Sequence, residues 1–185
     1  MEVFDAIHTR QSIGKVKPDP VPRDLLEKIL SAAVQAPNHH TVRPWRFGVL
    51  TGAARERLGE AFAAALKNRK PESDEVALKA ERARPLRSPV LIAVAVDKPN
   101  APNVVEIENV CAVAAACENM LLAAHGLGLA AMWRTGSPAI DPIVKKFLGF
   151  EPDQHLIAFI YIGYPLTERT TSNRPSFEDR TVWLD

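Results

Sequence analysis

The sequence predicts one layered domain in which helices cover both faces of a sheet. Three observations lead there. "VLIAVAV" (Val90–Val96) and "LIAFIYIGY" (Leu156–Tyr164) are apolar runs without alternation, the pattern of strands buried on both faces. Apolar residues elsewhere recur at helical spacing, so helices and strands interleave along the chain. A composition of 46% hydrophobic and 24% charged over 185 residues is that of a soluble globular chain long enough for one core.

Residues 3–9 open as a short helix, followed by a polar, proline-rich loop from Arg10 to Pro22. Leu25, Leu26, Ile29, Leu30 and Ala33 mark an amphipathic helix over 23–35, with Pro22 at its first turn and Pro37 ending it. Phe47, Val49 and Leu50 suggest a short strand, and Leu58, Ala61, Phe62, Ala65 and Leu66 mark the next helix. The charged run over 73–84 reads as a solvated helix face. After Val90–Val96 comes the loop "DKPNAPNV", then the longest helix candidate, 104–125, apolar most of the way round and therefore central or interfacial. Leu129–Trp133 is a strand ended by Thr135-Gly136, and Ser137 is expected to cap a helix through about Phe147. One domain over 1–185 results, with a polar tail, about 166–185, expected to pack on a partner chain.

Several chemistries are excluded at this level. A net charge of +1 argues against general nucleic-acid binding. Cys111 and Cys117 lie six apart in an Ala-rich run and would face different ways on a helix, so reduced, buried thiols and a cytoplasmic setting are expected. Val110–Trp133 is the most membrane-like span, but it holds Glu118, Asn119 and His125 and is dominated by alanine, so it reads as a helix buried in protein. His39 and His40 are adjacent without ligand-spaced partners, so no metal is expected. No Gly-x-Ser-x-Gly elbow is present, so a hydrolase, which stays open as an alternative, would need a triad assembled from distant parts of the chain. Gly126-Leu127-Gly128-Leu129-Ala130-Ala131 matches a dinucleotide fingerprint in letters only; its glycines close a helix and enter a strand, the reverse of the order required. What remains is a set of cationic and hydroxyl side chains at element ends: Arg10 and Ser12, His39 and Arg43, Arg134 and Thr135, and Arg174 in the tail. Together they can line one anion pocket, because arginine matches phosphate geometry bidentately.

"AIHTRQSIGKVKPDPVP", "AAVQAPNHHTVRPWRF", "HGLGLAAMWRTG" and "IYIGYP", in that order, resemble the FMN-dependent nitroreductase family, most of all its small single-domain NAD(P)H nitroreductases of bacteria. The resemblance implies an α+β fold, three layers around a central mixed sheet, and a homodimer with one FMN at each of two interface sites. It implies that Arg10, Gln11 and Ser12 hold the flavin phosphate and ribityl chain. It assigns His39 and Arg43 to a segment lining the partner's flavin. Trp133, Arg134 and Thr135 would lie along the ring or ribityl chain, with Trp133 either stacked near the ring or buried in the core. Arg174 is the candidate for a late basic residue at the phosphate.

The implied reaction is a ping-pong transfer of two electrons from NADH or NADPH through FMN to a nitroaromatic or quinone-like acceptor. It needs no acid or base from the protein, so no catalytic residue is named. A related flavin reaction (dehalogenation, flavin fragmentation, ring oxidation) and a non-catalytic flavin-binding dimer are the alternatives. Two positions depart from the family pattern. Gly14, followed by Lys15 and Lys17, stands where members often have Arg or Lys near the flavin N1 and O2 edge, which implies a weaker oxidant unless Lys15 substitutes. Arg43 stands where relatives often have Gln or Asn, implying a preference for acidic substrates or a phosphorylated nicotinamide.

Overall fold

The computed structural model describes residues 1–167 and 174–184. In chain order the elements are α1 (Val3–Thr9), α2 (Arg23–Ala33), a 3₁₀ turn (His39–Thr41), β1 (Trp45–Thr51), α3 (Ala53–Arg69) and α4 (Glu75–Ala83). Then follow β2 (Val90–Val96), α5 (Glu106–Gly126), β3 (Ala130–Arg134), α6 (Ser137–Ile140), α7 (Pro142–Phe147) and β4 (His155–Gly163). The strands form one four-stranded sheet in the order β1-β2-β4-β3.

Burial on both faces explains why β2 and β4 lack alternation. Every residue of β2 is buried, and its side chains divide between two apolar layers. Val90, Ile92, Val94 and Val96 face the α2–α5 layer, with Ala158, Ile160 and Ile162 beside them from β4. Leu91, Ala93 and Ala95 face the other layer, where Phe62 of α3 meets Phe159 edge-on at 5.4 Å between centroids. Helix α5 is the long apolar helix of the sequence. It is the one helix among the described residues long and apolar enough to cross a membrane, and here it packs against the sheet through Val113, Ala116, Cys117, Met120 and Ala124.

Four expectations change. The sheet, expected to be mixed, is antiparallel at every pairing of its named strands, and among the described residues its parallel component is a single bridge, Ser12–Ala131, at the β3 edge. The helix expected from Ser137 to Phe147 is two helices. Asp141 leaves the helical region (ψ 127°) because Pro142 follows it, and its carboxylate caps the Ile143 N–H. Ser137 is inside α6 and makes no cap; Gly136 precedes it. Of the two cysteines, Cys117 is buried as expected but Cys111 is exposed. The glycine turn after α5 is as read: Gly128 is left-handed (φ 79°), its N–H bonds to His125 O, and Leu129 N–H bonds to Ala124 O at 2.8 Å. The tail's residues 168–173 and 185 lie outside the described residues.

Helices α3 and α4 meet at Gly59, where a Cβ would stand 2.4 Å from the Arg82 carbonyl oxygen. The opposing atom is backbone and cannot swing away, so the helices would have to separate. Gly59→Ala is expected to lower unfolding free energy by about 1–3 kcal/mol in urea titration; an unchanged midpoint would show that the two helices part freely.

Candidate functional site

Helix α1 ends at Thr9 and the chain turns extended at Arg10 (φ −60°, ψ 133°). Helix α5 fixes that turn. Thr9 Oγ1 donates to the Asp5 carbonyl and lies 2.7 Å from His125 Nε2. With its proton committed to Asp5, the hydroxyl accepts from the ring N–H. Glu118, about two helical turns before His125 and so on the same face of α5, lies 3.1 Å from Arg10 through Oε1 and Nε.

Arg10 is unusual for an arginine, with a side chain only 15% exposed. Its Nε–H is not aimed at the Glu118 oxygen, and this buried nitrogen has no hydrogen-bond acceptor among the described residues. The two terminal nitrogens also make no hydrogen bond among the described residues. A guanidinium this little exposed, with its donor fork unspent, is a donor set able to take a phosphate or carboxylate bidentately.

After Arg10 the chain follows β3. Ser12 bridges Ala131, and the Ile13 N–H donates to the Ala131 carbonyl at 3.1 Å. The Lys17 N–H donates to Tyr164 O at 2.8 Å, and the Leu166 N–H to Lys15 O at 3.2 Å. Gly14 crosses above Met132: a Cβ there would stand 2.8 Å from Met132 Cε and 3.8 Å from Arg134 Nη2. The end of β3 therefore brings Arg134 beside the 10–14 segment, exposed and without a counter-ion among the described residues. Arg174 completes the group, its Nη2 donating to the Arg10 carbonyl at 3.0 Å. The structure thus gathers Arg10, Ser12, Arg134 and Arg174, with half-buried Gln11 between the first two and exposed Thr135 next to the third.

Trp133 points away from Met132, as strand alternation requires. Its ring packs on the α2–α5 layer and its indole N–H donates to Ile157 O at 3.0 Å.

His39 and Arg43 lie elsewhere on the chain. His39 Nε2 is 4.0 Å from Glu108 Oε1, and Glu108 precedes Glu118 by ten residues of α5, about 15 Å along the axis. A groove of about 300 Å³ runs there between Pro37, Asn38, His39, Glu108 and Cys111. The loop is strained: His40, Thr41 and Arg43 are left-handed at φ 51°, 52° and 54°. Each such non-glycine residue costs on the order of 1–3 kcal/mol. Asn38 helps hold the shape, its Oδ1 accepting from the Arg43 N–H at 2.9 Å.

Among the described residues no three His, Cys, Asp or Glu side chains gather to hold a metal ion. Burial, with the Glu118 charge adding to it, pushes the Cys117 thiol up to about 12, so it stays protonated and unreactive at neutral pH. A larger cavity, about 660 Å³, opens between Pro18, Val21, Leu26, Val49 and Arg55. It is lined by none of the residues gathered around Arg10.

Four participants escaped the sequence reading: Thr9, Glu118, His125 and Met132. Glu118 and His125 registered only as polar interruptions of an apolar span. Their spacing of seven places them on one helix face, a signal that was available.

The fold is that of a small α+β protein, with Arg10, Arg134 and Arg174 gathered at the junction of α1, α5 and β3. Residues 7–164 match the model of the Nitroreductase family, and the chain belongs to that family. It is 29% identical over 175 residues, 93% of each chain, to "Putative NAD(P)H nitroreductase YdjA" of Escherichia coli (strain K12). A nitroreductase-like family protein from Bacillus cereus superposes with a TM-score of 0.86 at 22% identity, over 100% of this chain and 97% of that one. A putative nitroreductase in complex with FMN, from Desulfovibrio desulfuricans, superposes with a TM-score of 0.78 at 25% identity, over 100% and 98%.

Trp133→Phe removes the indole donor and leaves the Ile157 carbonyl without it. The expected loss is about 1 kcal/mol of stability by chemical denaturation. No loss would mean that this bond is made only weakly.

Proposed function

We propose that this protein is an FMN-dependent NAD(P)H oxidoreductase, working as a homodimer on nitroaromatic or quinone-like acceptors. The observation that carries the reading is Arg10, its side chain only 15% exposed, its terminal nitrogens unspent among the described residues and its buried Nε lacking an acceptor. These residues fit a phosphate monoester: Arg10 would hold it, with Ser12 and Arg174 beside it. Gly14 lets the 10–14 segment pack directly on Met132, where a Cβ would clash, and Arg134 adds positive charge at that edge. FMN held there would supply the two-electron redox chemistry that a ping-pong exchange between NADH or NADPH and the acceptor requires. The chain's own task is to bind and orient; no side chain at the cluster is required as an acid or base. Two free thiols accord with a cytoplasmic setting.

The dimer is supported by apolar surface that one copy leaves uncovered. Helix α1 has no buried residue, and its Val3, Phe4 and Ile7 are exposed. In the tail, Val182, Trp183 and Leu184 are 79–92% exposed. A second copy is the occupant that explains both. It also accounts for His39 and Arg43, which sit near the opposite end of α5 from Arg10. In a dimer they would line the partner's flavin, and Arg43 would favour acidic acceptors.

The purified protein should be yellow, with flavin absorption that bleaches on anaerobic addition of NADH or NADPH. Protein that stays oxidised would turn the reading to a flavin binder or a different reductant; protein that takes up no FMN would end it. Arg10→Ala should weaken FMN binding by about 1.5–3 kcal/mol, roughly ten- to hundredfold, in flavin-fluorescence titration. Unchanged affinity would remove Arg10 from the site.

A further inference from the structure

We infer that Glu118 is a positioning residue for phosphate recognition: it orients the Arg10 guanidinium from behind so that the terminal fork stays free for the ligand. The inference rests on the flavin reading above. Glu118 contacts Arg10 at Nε, 3.1 Å from Oε1, on the flank of the guanidinium. A carboxylate chelating the fork would compete with phosphate; one at the flank does not. The contact is off the N–H axis, so it neutralises and steers without engaging the donor.

The anchoring is rigid on both sides. Glu118 belongs to the interior of a 21-residue helix. His125, two turns on, holds Thr9 through the 2.7 Å contact, so the residue just before Arg10 is tied to the same helix face. Arg174 holds the Arg10 carbonyl at 3.0 Å. The backbone of Arg10 is thus fixed by His125 and Arg174, and its side-chain direction by Glu118.

A second anion near a phosphate also repels it, and the exposures decide which effect wins. The Glu118 side chain is 47% exposed, so water and salt screen its action on a ligand beyond Arg10. Arg10, 15% exposed, sits where orientation and a nearby counter-charge count most. Orientation outweighs repulsion.

The test is titration of the full-length chain with FMN and with riboflavin, which lacks the phosphate. Glu118→Ala should weaken FMN about tenfold, within the range for coupled neighbours, and leave riboflavin unchanged. Glu118→Gln, which keeps length and an acceptor, should recover part of the loss. In an Arg10→Ala background Glu118→Ala should add nothing. FMN bound as tightly or more tightly by Glu118→Ala would overturn the inference, since Glu118 would then only repel phosphate. Equal weakening of both flavins would overturn it too, because that is a merely structural effect; if the alanine variant does not fold, the same comparison is read from the glutamine variant. Failure of the flavin reading is distinguishable: the unaltered protein would then take up neither flavin, or Arg10→Ala would keep the full preference for FMN over riboflavin.

Discussion

Helix α5 lies on the sheet through Val113, Ala116, Cys117, Met120 and Ala124, and its small side chains let the helix axis approach closely. Both polar groups of interest take their places from this packing. Glu108 faces His39 toward the start of the helix; Glu118 and His125 face Arg10 and Thr9 toward its end. If α5 shifted, the N-terminal segment and the strained 39–43 loop would lose their supports together. The apolar layer is therefore what makes a polar site possible: each buried aliphatic side chain contributes about 1.5–3 kcal/mol, enough in sum to offset left-handed residues and a half-paired arginine.

The cations of this chain divide by environment. Arg23, Arg46, Arg69, Arg82 and Arg84 are paired with nearby carboxylates, several within their own helix or across adjacent elements. Arg134 is left without a counter-ion among the described residues, and Arg10 has one only at its flank. Burying a guanidinium nitrogen without an acceptor is costly; Arg10 Nε shares this with Arg55 Nε, but Arg55 spends a terminal nitrogen on the Ser88 carbonyl, while the Arg10 fork makes no hydrogen bond among the described residues. Exposed pairs such as Arg82 with Glu60 and Glu75 are screened and say little about function. The distinction lies in burial and geometry, since all these arginines look alike in the chain.

Much of the architecture was legible. Val90–Val96 is a strand at the boundaries the apolar run suggested, because a strand buried on both faces needs every side chain apolar. Helix α2 is legible from its apolar spacing, and α5 from its length and its apolar character most of the way round. The helix after Ser137 was misread because Asp141-Pro142 was passed over: Pro142 forces its predecessor out of the helical region, and Asp141 restarts the next helix as its cap. The strain at His40, Thr41 and Arg43 had no signal, since no glycine marks it. Cys111 was expected inside because its surroundings are apolar, yet α5 turns that face outward.

By itself the sequence determined the layered fold, because apolar periodicity is a local property, and its ordered motifs carried the resemblance to the family and named the candidate cationic residues. Only the tertiary structure decided which arginines lie together. It brought Arg10, Arg134 and Arg174 to one junction and left Arg43 away from it. It also set Glu118 against Arg10, a contact across 108 residues of chain (10 to 118) that no local pattern encodes. The physical reason is that burial and counter-charge are set by packing, and packing is a property of the whole sheet and its helices.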